Sequence, residues 1–201
     1  VWASKRIGGR PIKWTAERTE SFLADAHGRD HVTHAEMATD ASGKIIGFKV
    51  HTKAAMGAYL STFSSCVPTY LYATLLSGQY NIPAIYAEVD AIYTNTAPVD
   101  AYRGAGRPDI AYAIERAVDV AALELKMDPA DLRRRNYVPL NEYPYKSATG
   151  STIEIADLPG LSAKALSLAD WPGFEARRAA SAKKGKLRGI GMSAVIEPTG
   201  A

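Results

Sequence analysis

The residues best suited to chemistry lie between Asn95 and Pro108, in the run NTAPVDAYRGAGRP. Two glycines, Gly104 and Gly106, flank Ala105, and two arginines, Arg103 and Arg107, bracket the three. Glycine lets a backbone take positive φ and approach another group closely. Arginine offers a planar fork of donors matched to phosphate or carboxylate. Pro108 is favoured at the first position of a helix. The N–H groups and dipole of such a helix favour an anion in front of the loop. These features read as an anion or cofactor loop, and equally as an ordinary glycine-rich strand-to-helix connection.

The other chemistry-bearing groups are sparse. His27, His31, His34 and His51 are the only histidines. His31 and His34 fall in a strand-like run, where residues three apart face opposite sides, which argues against a shared metal site. Asp100 and Glu197 are carboxylates beside turns and read as turn or cap residues as readily as catalytic ones. No Ser/His/Asp order or glycine-flanked nucleophile is present. Arg133, Arg134 and Arg135 are consecutive, so on a helix they point in three directions. The basic run Arg177, Arg178, Lys183, Lys184, Lys186 and Arg188 lacks interleaved aromatics and reads as a solvated helix end, with no nucleic-acid role.

The elements that must position the loop follow from periodicity. His31–Thr39 and Lys44–Lys53 alternate polar and apolar residues around Asp40-Ala41-Ser42-Gly43, which is a hairpin signature. A short strand is expected at Pro11–Thr15, with Thr15 or Thr19 capping a helical turn after it. Pro68–Ser77 reads as a short helix, and Ile85–Tyr93 as a strand feeding the loop. Pro108–Lys126 is the strongest helix, with Ile110, Ile114, Ala117 and Ala121 on a buried face that covers the sheet containing Ile85–Tyr93. Asp128 caps a further helix with Pro129 at its first position. Helices follow at Leu161–Ala169 and Asp170–Lys184, stopped by Gly185, and then a strand at Leu187–Ile196. This order is α+β, a mixed sheet with packed helices.

The chain has 201 residues, 47% hydrophobic and 22% charged, with a formal charge of +3. That is ordinary for a globular protein and too weakly basic to argue for nucleic acid. One cysteine, Cys66, excludes an internal disulfide and suits a reducing, cytoplasmic compartment. No run of about 18 apolar residues exists to span a membrane. The sequence starts and stops as if both ends were cut from a longer chain. Residues 139–160 are turn-rich, with Pro139, Pro144 and Pro159, and mark a boundary between a unit over 1–145 and a second over 146–201.

Five short motifs together resemble the molybdenum hydroxylases, the xanthine oxidase and aerobic carbon monoxide dehydrogenase superfamily, in the large molybdopterin-binding subunit. They are GRPIKW (Gly9–Trp14), QYNIP (Gln79–Pro83), AYRGAGRP (Ala101–Pro108), LRRRN (Leu132–Asn136) and LRGIG (Leu187–Gly191). The resemblance covers nearly the whole chain. It makes 1–145 the C-terminal part of a first molybdopterin-binding domain, and 146–201 a linker with the start of a second. It implies that Tyr102, Arg103, Gly104, Ala105, Gly106 and Arg107 bind the molybdenum cofactor, in bacteria usually molybdopterin cytosine dinucleotide. It also implies partner iron–sulfur and FAD subunits in a dimer of heterotrimers.

The departures from the pattern are as informative. Carbon monoxide dehydrogenases carry a copper-holding cysteine where this chain has Gly104. Purine-oxidising members carry an aromatic residue at Ala105, and an arginine near Leu71. The family's glycine-rich stretch and catalytic glutamate fall before Val1 and beyond Ala201. No catalytic residue and no metal ligand is therefore assigned within this sequence, and the fragment alone is expected to be inactive. The resemblance implies hydroxylation or oxidation of a small molecule (an aldehyde, an N-heterocycle or a CO-like substrate) with oxygen from water. The residues by themselves also allow a non-catalytic phosphate- or nucleotide-binding module.

Overall fold

Asp40 nucleates the hairpin. Its Oδ1 accepts from the backbone N–H of Ser42 (2.8 Å) and Lys44 (2.9 Å), and Gly43 takes φ +86°. In the computed structural model, which describes residues 1–197, this turn joins β1 (His31–Thr39) to β2 (Ile45–Ala55) in antiparallel register. β3 (Ile85–Ile92) pairs with the other edge of β2 in parallel, giving the order β1-β2-β3. A parallel neighbour needs a long crossover. Residues 56–84 supply it and contain the short helix α3 (Tyr70–Ala73).

Two short helices, α1 (Trp2–Arg6) and α2 (Arg18–Ala24), precede the sheet. After it come α4 (Arg107–Glu124), α5 (Pro129–Asn136), a 3₁₀ turn (Leu140–Glu142) and the small hairpin β4 (Tyr145–Lys146) and β5 (Thr152–Ile153). The helices α6 (Leu158–Leu168) and α7 (Phe174–Ala182) complete the α+β chain. No helix among the described residues is long and apolar enough to cross a membrane.

The buried stripe of α4 is Ile110, Ile114, Val118 and Ala122, a strict i, i+4 row with at most 2% exposure. Ala117 and Ala121, expected at the centre of that face, are only partly buried beside it. The helix packs on the sheet that contains β3, through β1, and on α5 and α3; β3 itself is an edge strand with two partly buried residues, Ile85 and Val89. The expected face holds at Ile110 and Ile114, while Val118 and Ala122 complete the buried row in place of Ala117 and Ala121.

Glu115 is 5% exposed and Arg133 of α5 is fully buried. Arg133 Nε donates to Glu115 Oε2 at 2.9 Å, its Nη2 bridges to Asp119 Oδ1 at 2.9 Å, and its Nη1 donates to Pro129 O at 3.1 Å. The other Glu115 oxygen accepts from Gln79 Nε2 (2.8 Å) and the Tyr80 hydroxyl. Burial, then the Glu115 charge, pushes the Tyr80 hydroxyl far above the usual phenol range, so it remains a donor. Arg134 and Arg135 point elsewhere, to Asp131 and to Ser42 O. Asn136 accepts from Ile45 N (2.8 Å) and donates to Gly43 O and Leu132 O (both 2.9 Å), pinning α5 to the hairpin.

Several expected elements differ. Residues 11–15 form no strand: all five are exposed, and no neighbour completes a ladder. α2 is capped by Glu17, whose N–H bonds Glu20 Oε2 at 3.3 Å, and neither Thr15 nor Thr19 caps it. The helix expected over 68–77 forms only at Tyr70–Ala73, flanked by turns. α6 starts at Leu158 because Asp157 caps it, accepting from Gly160 N at 2.9 Å, and Pro159 sits in the first turn. α7 begins only at Phe174, and Gly185 at φ +66° follows its end.

Residues 187–197 are not a strand. The main chain there is held by side chains instead. Ala194 N donates to Glu115 Oε2 at 3.0 Å, and Ala194 O accepts from Gln79 Nε2 at 3.0 Å. Residues 198–201 lie outside the described part.

Removing one partner of a buried pair strands the other charge. Arg133→Ala should therefore cost about 3–5 kcal/mol in denaturant unfolding. The Arg133→Ala/Glu115→Ala double variant should cost clearly less than the sum of the singles.

Candidate functional site

The strand β3 delivers the chain into a turn over Gly57. Thr94 N donates to Gly57 O and Ala58 N to Thr96 O, each at 3.0 Å. Gly57 is at φ +77°, and a Cβ there would lie 2.4 Å from Ala97 O, so no other residue fits beneath this turn. His27 and Pro98–Asp100 exchange backbone hydrogen bonds of 2.8 Å in each direction. Asp100 ties the serine-rich loop: its carboxylate accepts from Ser61 Oγ, Phe63 N (3.3 Å) and Ala101 N (2.6 Å). The Ser61 hydrogen bond, with these backbone donors, holds that carboxyl below its usual range. Asp100 is thus a turn-building residue.

The segment Tyr102–Arg107 then folds into two overlapping turns, with Ala105 N to Tyr102 O at 2.8 Å and Arg107 N to Gly104 O at 3.1 Å. Gly104 sits at φ +80° and Ala105 at φ +47°, an uncommon conformation for a residue with a side chain. A Cβ on Gly104 would meet Pro108 at 2.8 Å. Gly106 is buried, and a Cβ there would lie 2.0 Å from Val67 O and 2.8 Å from Tyr72 N. The chain next to Cys66, remote in sequence, therefore passes directly under the loop.

Three side chains that sequence reasoning did not single out, or left as a plain cap, secure this loop. Arg29, itself at φ +54°, donates from Nη2 to Tyr102 O at 3.3 Å and to Arg103 O, and its guanidinium lies 5.2 Å from the Tyr102 ring centre. Glu197 pairs with Arg107 Nη1 at 3.1 Å. Asp109, in the first turn of α4, lies 3.6 Å from both Arg29 Nε and His31 Nδ1. Nothing in the local pattern GRDH around Arg29 marks this role, since all of these contacts span more than 70 residues.

This geometry narrows what the loop offers an anion. Arg107 N is bonded, Pro108 has no N–H, and the Asp109 carboxylate already occupies the first turn of α4. The helix terminus is thus a weaker anion site than the sequence suggested. What faces outward is the loop itself: Tyr102 and Arg103 are exposed, and Gly104 and Ala105 are partly so.

His31 and Asp109 line the polar end of a groove of about 720 Å³ between β1 and α4, whose remaining walls include Met37, Ala113, Val120 and Leu125. The His31 and Asp109 side chains are 6% and 11% exposed, and both His31 ring nitrogens are buried without a hydrogen-bond partner. Burial outweighs the Asp109 charge and lowers the His31 pKa. Burial likewise raises the Asp109 carboxyl against the pull of His31 and Arg29. His34 projects from the other face of β1, and His27 lies before the strand, so His27, His31 and His34 form no common site.

Comparison with known proteins fits this architecture. Residues 1–137 match the family described as molybdopterin cofactor-binding domain, and the chain belongs to that family. It is similar to the carbon monoxide dehydrogenase large chain of Hydrogenophaga pseudoflava, 36% identical over 96% of this chain and 25% of that protein. It is also similar to the nicotine 6-hydroxylase large subunit of Paenarthrobacter nicotinovorans, 30% identical over 98% of this chain and 24% of that one. Among solved structures, quinoline 2-oxidoreductase from Pseudomonas putida 86 superposes with a TM-score of 0.84 at 27% identity, over 91% of this chain and 23% of that chain. The chain spans about a quarter of the length of these relatives.

Two outcomes test the site's construction. Gly106→Ala should destabilise by about 3 kcal/mol or more, because backbone rather than a flexible side chain meets the new methyl. His31 is disfavoured as imidazolium in the folded state. As pH falls below about 6.5, the unfolded chain takes up a proton that the folded chain refuses, and stability drops until the folded pKa is reached. Asp109, with its raised pKa, acts in the opposite sense at lower pH. His31→Asn should flatten the fall in melting temperature just below pH 6.5.

Proposed function

We propose that this chain is a segment of the molybdenum-cofactor subunit of a cytoplasmic oxidoreductase that hydroxylates or oxidises a small substrate (an aldehyde, an N-heterocycle or a CO-like molecule) with oxygen derived from water. The observation that carries the proposal is that the AYRGAGRP loop lies inside the stretch matched to the molybdopterin cofactor-binding family and is pinned from three sides with Arg103 exposed. By the resemblance, Gly104 stands where carbon monoxide dehydrogenases carry their copper-holding cysteine. With glycine there, an organic substrate is the better reading. We divide the chain into the C-terminal part of a first molybdopterin-binding domain (1–145) and a linker with the start of a second (146–201).

The residues present fit the cofactor. Gly104 and Gly106 shape a loop with no side chain at either position, and Arg103 presents a planar cationic fork toward solvent. In our reading Tyr102, Arg103, Gly104, Ala105, Gly106 and Arg107 bind it, as molybdopterin cytosine dinucleotide. When bound, the cofactor supplies the redox centre and the activated oxygen. The chain's own part is positional. Arg103 offers paired donors to an anionic group, and Gly104 and Ala105 allow close backbone approach. Arg107 is fixed beside the loop by its pairing with Glu197 at 3.1 Å. Iron–sulfur and FAD subunits would complete the complex as a dimer of heterotrimers, and no catalytic residue lies in this segment.

Arg103→Lys in the full-length protein should lower turnover about tenfold or more, because an ammonium cannot reproduce the two-pronged donor. Assays against CO, aldehydes and N-heterocycles, with molybdenum measured in parallel, check this. Full turnover with full molybdenum content in the variant would overturn the placement. The purified 201-residue chain should itself retain no molybdenum by elemental analysis, since only one donor loop is present.

A further inference from the structure

The sheet face turned away from α4 carries a cluster that neither the arginine loop nor the core uses. Antiparallel pairing sets His34 of β1 opposite His51 of β2, and parallel pairing sets Glu88 of β3 opposite His51 on its other side. Paired residues share a face, and so do residues two apart on one strand. His34, His51, Glu88 and Asp90 therefore all project from this surface. His51 Nε2 lies 2.8 Å from Asp90 Oδ2. One ligand-capable atom from each of His51, Glu88 and Asp90 lies within 4.8 Å of the other two.

We propose that His51, Glu88 and Asp90 bind a divalent transition-metal ion of the zinc type, with His34 as the cross-strand candidate for a fourth ligand. One imidazole and two carboxylates are a donor set suited to zinc, whose bonds of about 2.0–2.2 Å draw such ligands together without imposing a strict geometry. Calcium and magnesium prefer all-oxygen shells and are disfavoured by the imidazoles. The supporting hydrogen bond is already present. The Tyr86 hydroxyl donates to Glu88 Oε2 at 2.9 Å, orienting that carboxylate and leaving its other oxygen free.

The charge balance also favours the ion. Lys49, one row away, is hydrogen-bonded to Glu36 at 2.9 Å rather than to either carboxylate, though it feels the Glu88 charge. Lys53, in register with Asp90, is the remaining opposing charge. The register of two paired strands holds the ligands, so the ion need only turn side chains. The His51 and Asp90 side chains are 38% and 47% exposed, which leaves the site open to solvent.

The test is titration of the 201-residue protein with zinc chloride, followed by calorimetry and by melting temperature. A single micromolar site that raises the melting temperature is expected. His51→Ala should weaken it by about tenfold or more, and Asp90→Asn should weaken it measurably. His27→Ala should leave it unchanged, and calcium should not compete. These side chains are on the surface, so circular dichroism of each variant should match the wild type. Absence of zinc binding at millimolar concentration, or wild-type affinity in His51→Ala and Asp90→Asn, would overturn the proposal.

Discussion

The buried Glu115–Arg133 pair is the constraint on which the rest of the structure depends. Two charges withdrawn from water are tolerated only if every lone pair and proton finds a partner. Here the partners come from four separate stretches: Gln79 and Tyr80 in the crossover, Asp119 on α4, Pro129 on α5 and Ala194 in the C-terminal segment. Satisfying one ion pair therefore fixes the relative placement of α4, α5 and the chain on either side of them. The stacked rings of Tyr80 and Tyr137, 5.8 Å apart, close the apolar side of the same cluster.

That placement reaches the arginine loop by two routes. α4 carries the loop at its N-terminus, so the helix that presents Glu115 to the core also sets where Gly106 meets Val67 and Tyr72. Ala194, clamped by Glu115 and Gln79, is three residues from Glu197, which meets Arg107. The loop is thus held between two arms of one network. Arg29 closes the third side from the turn before β1. The positive φ at Ala105 and Arg29 is the local strain that this surrounding structure sustains.

The sheet divides its labour between its two faces. One face gives Phe48, Val50 and Thr52 to the core beneath α3 and α4, with Thr52 Oγ1 bonded to the Tyr72 hydroxyl at 2.9 Å. The other face is polar and carries the histidine and carboxylate row. Among the described residues this sheet has three strands, so β1 and β3 are both edges, and the polar residues His34, Glu36, Glu88 and Asp90 line them. Charge on an edge discourages unwanted strand pairing.

The sequence alone determined several features that depend on near neighbours. The Asp40–Gly43 turn, the Asp128 cap, the stop at Gly185 and the divergence of Arg133–Arg135 all follow from contacts within a few residues, and all are present in the fold. The motif set also pointed to the molybdopterin-binding family before any coordinates, because a signature spread over five stretches survives without a geometry.

Tertiary structure decided what depends on distant partners. Glu115 looks like a solvated helix residue until Arg133, 18 residues on, is placed beside it. Leu187–Ile196 reads as a strand, but at Ala194 Gln79 and Glu115 take the hydrogen bonds that a neighbouring strand would supply. The supports of the arginine loop, Arg29 and Glu197, lie 74 and 90 residues from the groups they hold. No local pattern encodes such separations, because only the packing of the core brings those segments together.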